Sequence, residues 1–236
     1  MPTNGNGKTV LITGASRGIG AATALRLAKR GDQVALVARP GPDLEATARR
    51  LGEFAPTLAV GADITRPEDV DRAVAAALAR FGRIDGLINN AALYVEKPFL
   101  ECSLAEMDDL VAVDLRGTFL VTRAAVPHMI AAGGGTVVNL SSLVGLTGAR
   151  NQAVHSACKA ALLAFSDALL AELRPHGVRV SAICPGSTDT WGAPDPEHLL
   201  RPDDVAAAVE FALHAPPGAA VTRVWCEALG PRAAGR

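Results

Sequence analysis

The segment that most restricts this chain lies near its beginning. Lys8-to-Ile12 (KTVLI) reads as a buried strand and runs into Thr13-Gly14-Ala15-Ser16-Arg17-Gly18-Ile19-Gly20, after which a helical pattern starts. A chain that leaves a strand and enters a helix within a few residues needs backbone that turns tightly, and glycine supplies it. The same glycines let a pyrophosphate approach the main chain. The helix N-terminus behind them offers unpaired N–H groups and the positive end of its dipole. The junction therefore implies nucleotide binding on an open parallel sheet.

Further apolar runs read as strands: Gln33-to-Ala38 (QVALVA), Thr57-to-Val60, Gly86-to-Ile88, Thr136-to-Leu140, Val178-to-Ile183 and Ala220-to-Cys226. Helices are expected at about 18–30, 43–52, 67–81, 103–131, 153–174 and 202–214. Thr65-Arg66-Pro67-Glu68-Asp69 and Arg201-Pro202-Asp203-Asp204 each put proline and acids in a first turn. Pro216-Pro217-Gly218 marks a turn before the last strand. Buried strands alternating with helices predict an α/β fold with helices on both faces of a parallel seven-stranded sheet. A length of 236 residues suits one such doubly wound Rossmann domain over 1–236 and is short for two.

A net charge of −1 argues against a nucleic-acid footprint. Cys102, Cys158, Cys184 and Cys226 are scattered, with neither zinc spacing nor a disulfide framework, and His128, His176, His198 and His214 show no ligand spacing; no metal is expected. MPTNGNGKTV lacks a signal-peptide core and no apolar run reads as long enough to span a bilayer, so a cytoplasmic chain without membrane contact is expected.

The TGxxxGxG pattern is followed by Asp63 in GADIT, Asn89-Asn90-Ala91-Ala92, the NLSS segment ending at Ser142, and Pro185-Gly186. In order and spacing this resembles the short-chain dehydrogenase/reductase family over almost the whole chain. The close, LLRPDDVAAAVEFALHAPPG, also resembles that family's ending. The resemblance implies a nicotinamide cofactor held by Gly14, Ser16, Arg17, Gly18, Ile19 and Gly20. It puts Asp63 and Ile64 at the adenine, Asn89 and Ala91 at a strand end, and Pro185, Gly186, Thr188 and Thr190 along the nicotinamide half. Ala92 stands where the family has glycine in NNAG. The second strand ends Ala38-Arg39, without the acid that marks ribose 2′-hydroxyl recognition. Arg17 and Arg39 favour a 2′-phosphate, which guanidinium grips bidentately, and NADP(H) is expected.

The family resemblance also implies a cooperating asparagine, serine, tyrosine and lysine. Ser142 and Lys159 stand in register, Lys159 serving the cofactor ribose as well. His155 occupies the tyrosine position, Asp114 (VAVDLRG) the asparagine position, and the chain's sole tyrosine is Tyr94. His155 and Lys159, four residues apart, share one helical face. The Lys159 ammonium disfavours a second cation beside it. Asp114, if it reaches the cluster, offsets that charge and lets His155 take a proton. Imidazolium is an adequate acid near neutrality. A proton donor contributes about 10²–10⁴-fold, less than the roughly 7–11 kcal/mol that placement can supply, so its replacement weakens carbonyl reduction rather than removing it.

Several readings stay open on the sequence: reduction of C=O, reduction of C=N, a non-redox isomerase, dehydratase or cyclase, or a silent NADPH-binding partner protein. A small-molecule substrate would meet Leu93, Tyr94, Val144, Leu146 and Trp191, beside a short loop, TWGAPDPEHLL. The helices at about 103–131 and 153–174 resemble those that pair in family dimers and tetramers, so a homodimer or homotetramer is expected.

Overall fold

The computed structural model describes residues 7–193 and 196–230. Seven strands form one sheet: β1 (Thr9–Thr13), β2 (Gln33–Ala38), β3 (Thr57–Gly61), β4 (Gly86–Asn89), β5 (Gly135–Leu140), β6 (Val178–Pro185) and β7 (Arg223–Cys226). Their order is β3-β2-β1-β4-β5-β6-β7 and every neighbouring pair is parallel. The order reverses between β1 and β4, and the carboxyl ends of strands flanking such a reversal frame a crevice.

Strand side chains alternate between two apolar layers. Val10, Ile12, Val34 and Leu36 pack with α1 (Gly18–Arg30), α2 (Pro42–Leu51) and, farther along the sheet, α8 (Pro202–Leu213). Leu11, Ala35 and Val37 face the opposite layer, which takes residues from α3 (Pro67–Phe81), α5 (Thr118–Ala131) and α7 (Ala153–Leu173). Both faces of the sheet are thus covered, as the uninterrupted apolar strands require.

The expected helix at about 103–131 is three pieces. α4 (Leu104–Leu110) is capped by a reciprocal Ser103–Glu106 box, Val111–Gly117 is a π-helical turn, and α5 follows. The wider turn carries the wholly buried Asp114, and Gly117 allows it to sit tightly: a Cβ there would come within 2.7 Å of Ile64 Cδ1. The last strand is shorter than the expected Ala220-to-Cys226. Before Arg223 the Val221 carbonyl accepts from the Ser181 hydroxyl, and the Arg179 guanidinium donates to the Ala215, Pro216 and Ala219 carbonyls of the preceding loop.

The expectation that no segment is long and apolar enough to span a bilayer fails for Ala153–His176, with mean hydropathy 1.3. Here α7 turns part of that apolar surface inside the protein, with Leu162, Leu163, Leu170 and Leu173 buried. A short helix absent from the sequence expectation, α6 (Val144–Thr147), lies against α7. A Cβ on Gly145 would meet the Lys159 carbonyl carbon at 2.7 Å and Ala160 N at 2.9 Å. Backbone cannot give way cheaply, and overpacking of this kind costs typically about 1–3 kcal/mol. Gly145→Ala should therefore lower unfolding free energy by about that amount in urea denaturation, while an unchanged midpoint would contradict the close approach.

Candidate active site

The glycine turn is built as its sequence requires. Gly14 and Gly18 have φ of +63° and +56°, conformations that L side chains rarely adopt. A Cβ on Gly20 would fall 2.3 Å from the Gly14 carbonyl oxygen. Across the strand-order reversal, Asn90 Nδ2 donates to the Thr13 and Gly14 carbonyls at 3.0 and 3.1 Å. Thr13 Oγ1 accepts from the Asn90 and Ala91 N–H groups. The turn is therefore tied to the end of β4 before any ligand arrives.

A cleft of about 1160 Å³ opens over this turn and runs along the carboxyl ends of the strands. Most of the expected cofactor residues line it: Gly14, Ser16, Arg17, Gly18, Ile19, Arg39, Asp63, Ile64, Ala91, Pro185, Gly186, Thr188 and Thr190. Asp63 Oδ1 accepts from Thr65 N and Oγ1, so this carboxylate shapes its own loop at the cleft wall. Gly20 packs beneath the turn, and Asn89 is buried with its amide donating to Thr122 Oγ1 and Asn139 Oδ1. Of the expected wall residues, Leu93, Tyr94, Val144 and Trp191 line the cleft, whereas Leu146 is absent from its lining. Trp191 faces the cofactor end, its ring under the Arg17 guanidinium at 3.8 Å. The loop expected to border the substrate runs on into Pro194 and Asp195, which lie outside the described residues.

At the other end, three ionisable groups converge. The Lys159 Nζ lies 3.3 Å from Asp114 Oδ2 and donates to the Leu140 carbonyl at 3.1 Å. His155 Nδ1 lies 3.5 Å from the same Oδ2. Asp114 Oδ1 accepts from Leu93 N at 2.7 Å. All three residues are buried, and Asp114 has no exposed surface at all. Burial alone pushes the Asp114 carboxyl up, but the Lys159 ammonium, His155 and the Leu93 N–H together hold it below the ordinary carboxylate range. Asp114 does not pair with Arg116, whose guanidinium instead donates to the Thr65 carbonyl. Ser142 lines the same cleft; its hydroxyl donates to the Pro185 carbonyl and accepts from Val144 N at 3.3 Å.

Tyr94 closes the cluster from outside, its ring edge-on to His155 at 5.6 Å between centroids. Its hydroxyl donates to Glu96 and accepts from Gln152 Nε2. Burial, then the Glu96 carboxylate, pushes this phenol up to about 12. It stays protonated at neutral pH and is a poor acid there. Sequence reasoning did not single out three contributors. Asn90 and Thr13 stood inside quoted motifs, but nothing in the letters tells which side chain ties turn to strand. Gln152 carries no motif signal at all.

The family described as short chain dehydrogenase matches residues 8–195. A sorbitol dehydrogenase from Cereibacter sphaeroides is 37% identical over 217 residues, spanning 87% of this chain and 84% of that protein. A 3-ketoacyl-(acyl-carrier-protein) reductase from Brucella melitensis, solved with NADH, superposes with TM-score 0.85 at 33% identity over 93% of this chain and 97% of that one. An L-sorbose reductase from Gluconobacter frateurii, solved with NADPH and L-sorbose, gives TM-score 0.87 at 27% identity over 98% of each chain. With the glycine turn, the sheet order and these matches agreeing, the chain belongs to the short-chain dehydrogenase family and is an oxidoreductase of that type.

Proposed function

We propose that this oxidoreductase uses NADP(H) to interconvert a C=O and a CH–OH group of a small molecule, with His155 moving the proton. The observation that carries this reading is the convergence of His155 and Lys159 on one buried carboxylate oxygen, beneath the cleft that begins at the glycine turn. The cleft fits a dinucleotide: Gly14 and Gly18 clear its floor, and Arg17 and Arg39 line it with no acid at position 39. Gly14, Gly18, Ile19, Thr188 and Thr190 would hold the pyrophosphate and nicotinamide side, and Lys159 the ribose. When bound, the nicotinamide supplies or accepts a hydride.

The chain's own part is proton handling. His155 Nδ1 faces Asp114 Oδ2 at 3.5 Å, so in this reading the neutral ring carries its proton on Nδ1 and Nε2 is left for exchange with the substrate oxygen. Imidazolium gives a proton to an incipient alkoxide; neutral imidazole takes one from an alcohol. Reduction and oxidation are accordingly favoured on opposite sides of the histidine ionisation. Ser142, with its hydroxyl at the cleft wall, orients the substrate oxygen. Tyr94 is unsuited to the donor role, since its hydroxyl is spent on Glu96 and its proton is tightly held. An acid–base reaction without redox would use the same Asp114–His155 pair, and cofactor consumption separates the two. Cytoplasmic location, expected from the sequence, and assembly as a homodimer or homotetramer, expected from the family, accompany this proposal.

NADPH oxidation against ketones, aldehydes and cyclic imines should rise as pH falls from about 8 to 5, bracketing the histidine reference value. His155→Ala should lose about 10²–10⁴-fold in kcat with little change in NADPH affinity. Product formed without cofactor consumption would overturn the redox reading, and an unaffected alanine variant would remove His155 from the chemistry. Because Asp114 is held below the ordinary carboxylate range, it stays ionised throughout that window and cannot itself produce the profile. Asp114→Asn should lower kcat with little change in NADPH affinity, since His155 Nδ1 loses the carboxylate oxygen it faces. An unchanged kcat would contradict the coupling.

A further inference from the structure

Arg17 directly precedes α1, whose own arginines, Arg26 and Arg30, are each paired with a carboxylate. Among the described residues Arg17 has a single recorded partner, the Trp191 ring, 3.8 Å from its Cζ. Face-on stacking engages the guanidinium plane and leaves its edge N–H donors unspent. Trp191 itself is 69% exposed, so it is not held there by burial in a core.

The platform is braced from behind. Asp189 Oδ1 accepts from the N–H groups of Trp191, Gly192 and Ala193, at 3.2, 2.7 and 2.9 Å. Those N–H groups hold the Asp189 carboxyl below its ordinary value, so it accepts as a carboxylate at neutral pH. Backbone bonds between Asp189 and Leu200, and between Leu200 and Ser187, fix the loop to its return limb. The ring therefore bridges from this loop to the glycine turn across the cleft mouth.

We propose that Trp191 is a specificity-determining residue for the nucleotide: its indole holds the Arg17 guanidinium with its donor edge ready for a ribose 2′-phosphate. The inference rests on the NADP(H) reading. A flexible arginine gives up side-chain freedom when it grips an anion, and an aromatic platform that orders it beforehand reduces that cost. A nucleotide without the 2′-phosphate has nothing for that edge to grip, so the contribution is confined to NADP(H).

Calorimetric titration of NADPH and NADH into wild type, Arg17→Ala, Trp191→Ala, Trp191→Phe and the Arg17→Ala/Trp191→Ala pair tests this. Trp191→Ala should weaken NADPH binding by about 3- to 30-fold, the range of a cation–π contact, and leave NADH binding unchanged. Trp191→Phe, which keeps a ring face, should fall between. In the Arg17→Ala background, removing Trp191 should cost NADPH nothing further. Equal losses for both nucleotides, or none for either, would overturn the platform role. If Arg17→Ala leaves NADPH binding intact, the NADP(H) reading fails and this inference falls with it. If Arg17→Ala weakens NADPH but Trp191→Ala does not, the inference alone fails.

Discussion

Asp114 Oδ2 is asked to satisfy two neighbours at once in a place that water does not reach. Lys159 is almost wholly buried on α7 and its ammonium would be costly there without an anion beside it. Asp114, with no exposed surface, has the same need for a cation. Breaking such a pair by removing one member typically costs about 3–5 kcal/mol, because the survivor is a buried uncompensated charge. His155 then joins through Nδ1, which is buried and makes no conventional hydrogen bond. With one carboxylate and one ammonium already facing each other, a protonated imidazole would be a second cation on the same Oδ2, so Asp114 is shared between two partners whenever the ring carries its charge.

The backbone around this oxygen is arranged to deliver it. A regular α-helix from 103 to 131 would place successive side chains by a fixed rotation of about 100° per residue. The π turn at Val111–Gly117 adds a residue to that turn and brings Asp114 inward, while Thr118 Oγ1 bonds to the Asp114 carbonyl. From the other side, α6 presses on α7 at Lys159, and Ser141 Oγ donates to the Lys159 carbonyl at 2.8 Å. The Leu93 N–H fixes the second carboxylate oxygen. Three separate segments thus converge on the cluster, and the cleft walls derive from the same segments.

The glycine turn, the parallel sheet and the two-sided helical cover were legible because each has a local cause: tight turns, uninterrupted apolar strands, caps with proline and acids. The shared face of His155 and Lys159 was legible for the same reason, being four residues on one helix. The π turn was not, because VAVDLRG is compatible with an ordinary helix and the wider form shows only in the folded chain, where Gly117 sits close against Ile64. The short last strand was hidden similarly, since the Val221 carbonyl is taken by the Ser181 hydroxyl, a contact between residues 40 apart in sequence. Whether Asp114 meets His155 and Lys159 was open in the sequence, and the bond from Asn90 to the glycine turn and the stacking of Trp191 on Arg17 depend on loop geometry that no periodicity encodes.

The central claim is that Asp114 sets the protonation geometry of His155. Nitrogen-15 NMR of the histidine ring, in wild type and Asp114→Asn, reads that geometry directly. In the neutral ring of the wild type the proton is predicted on Nδ1, facing Oδ2, with Nε2 bare toward the cleft. Loss of the carboxylate should reduce that tautomer's share. A wild-type ring protonated on Nε2, or a tautomer share unchanged in Asp114→Asn, would contradict the claim.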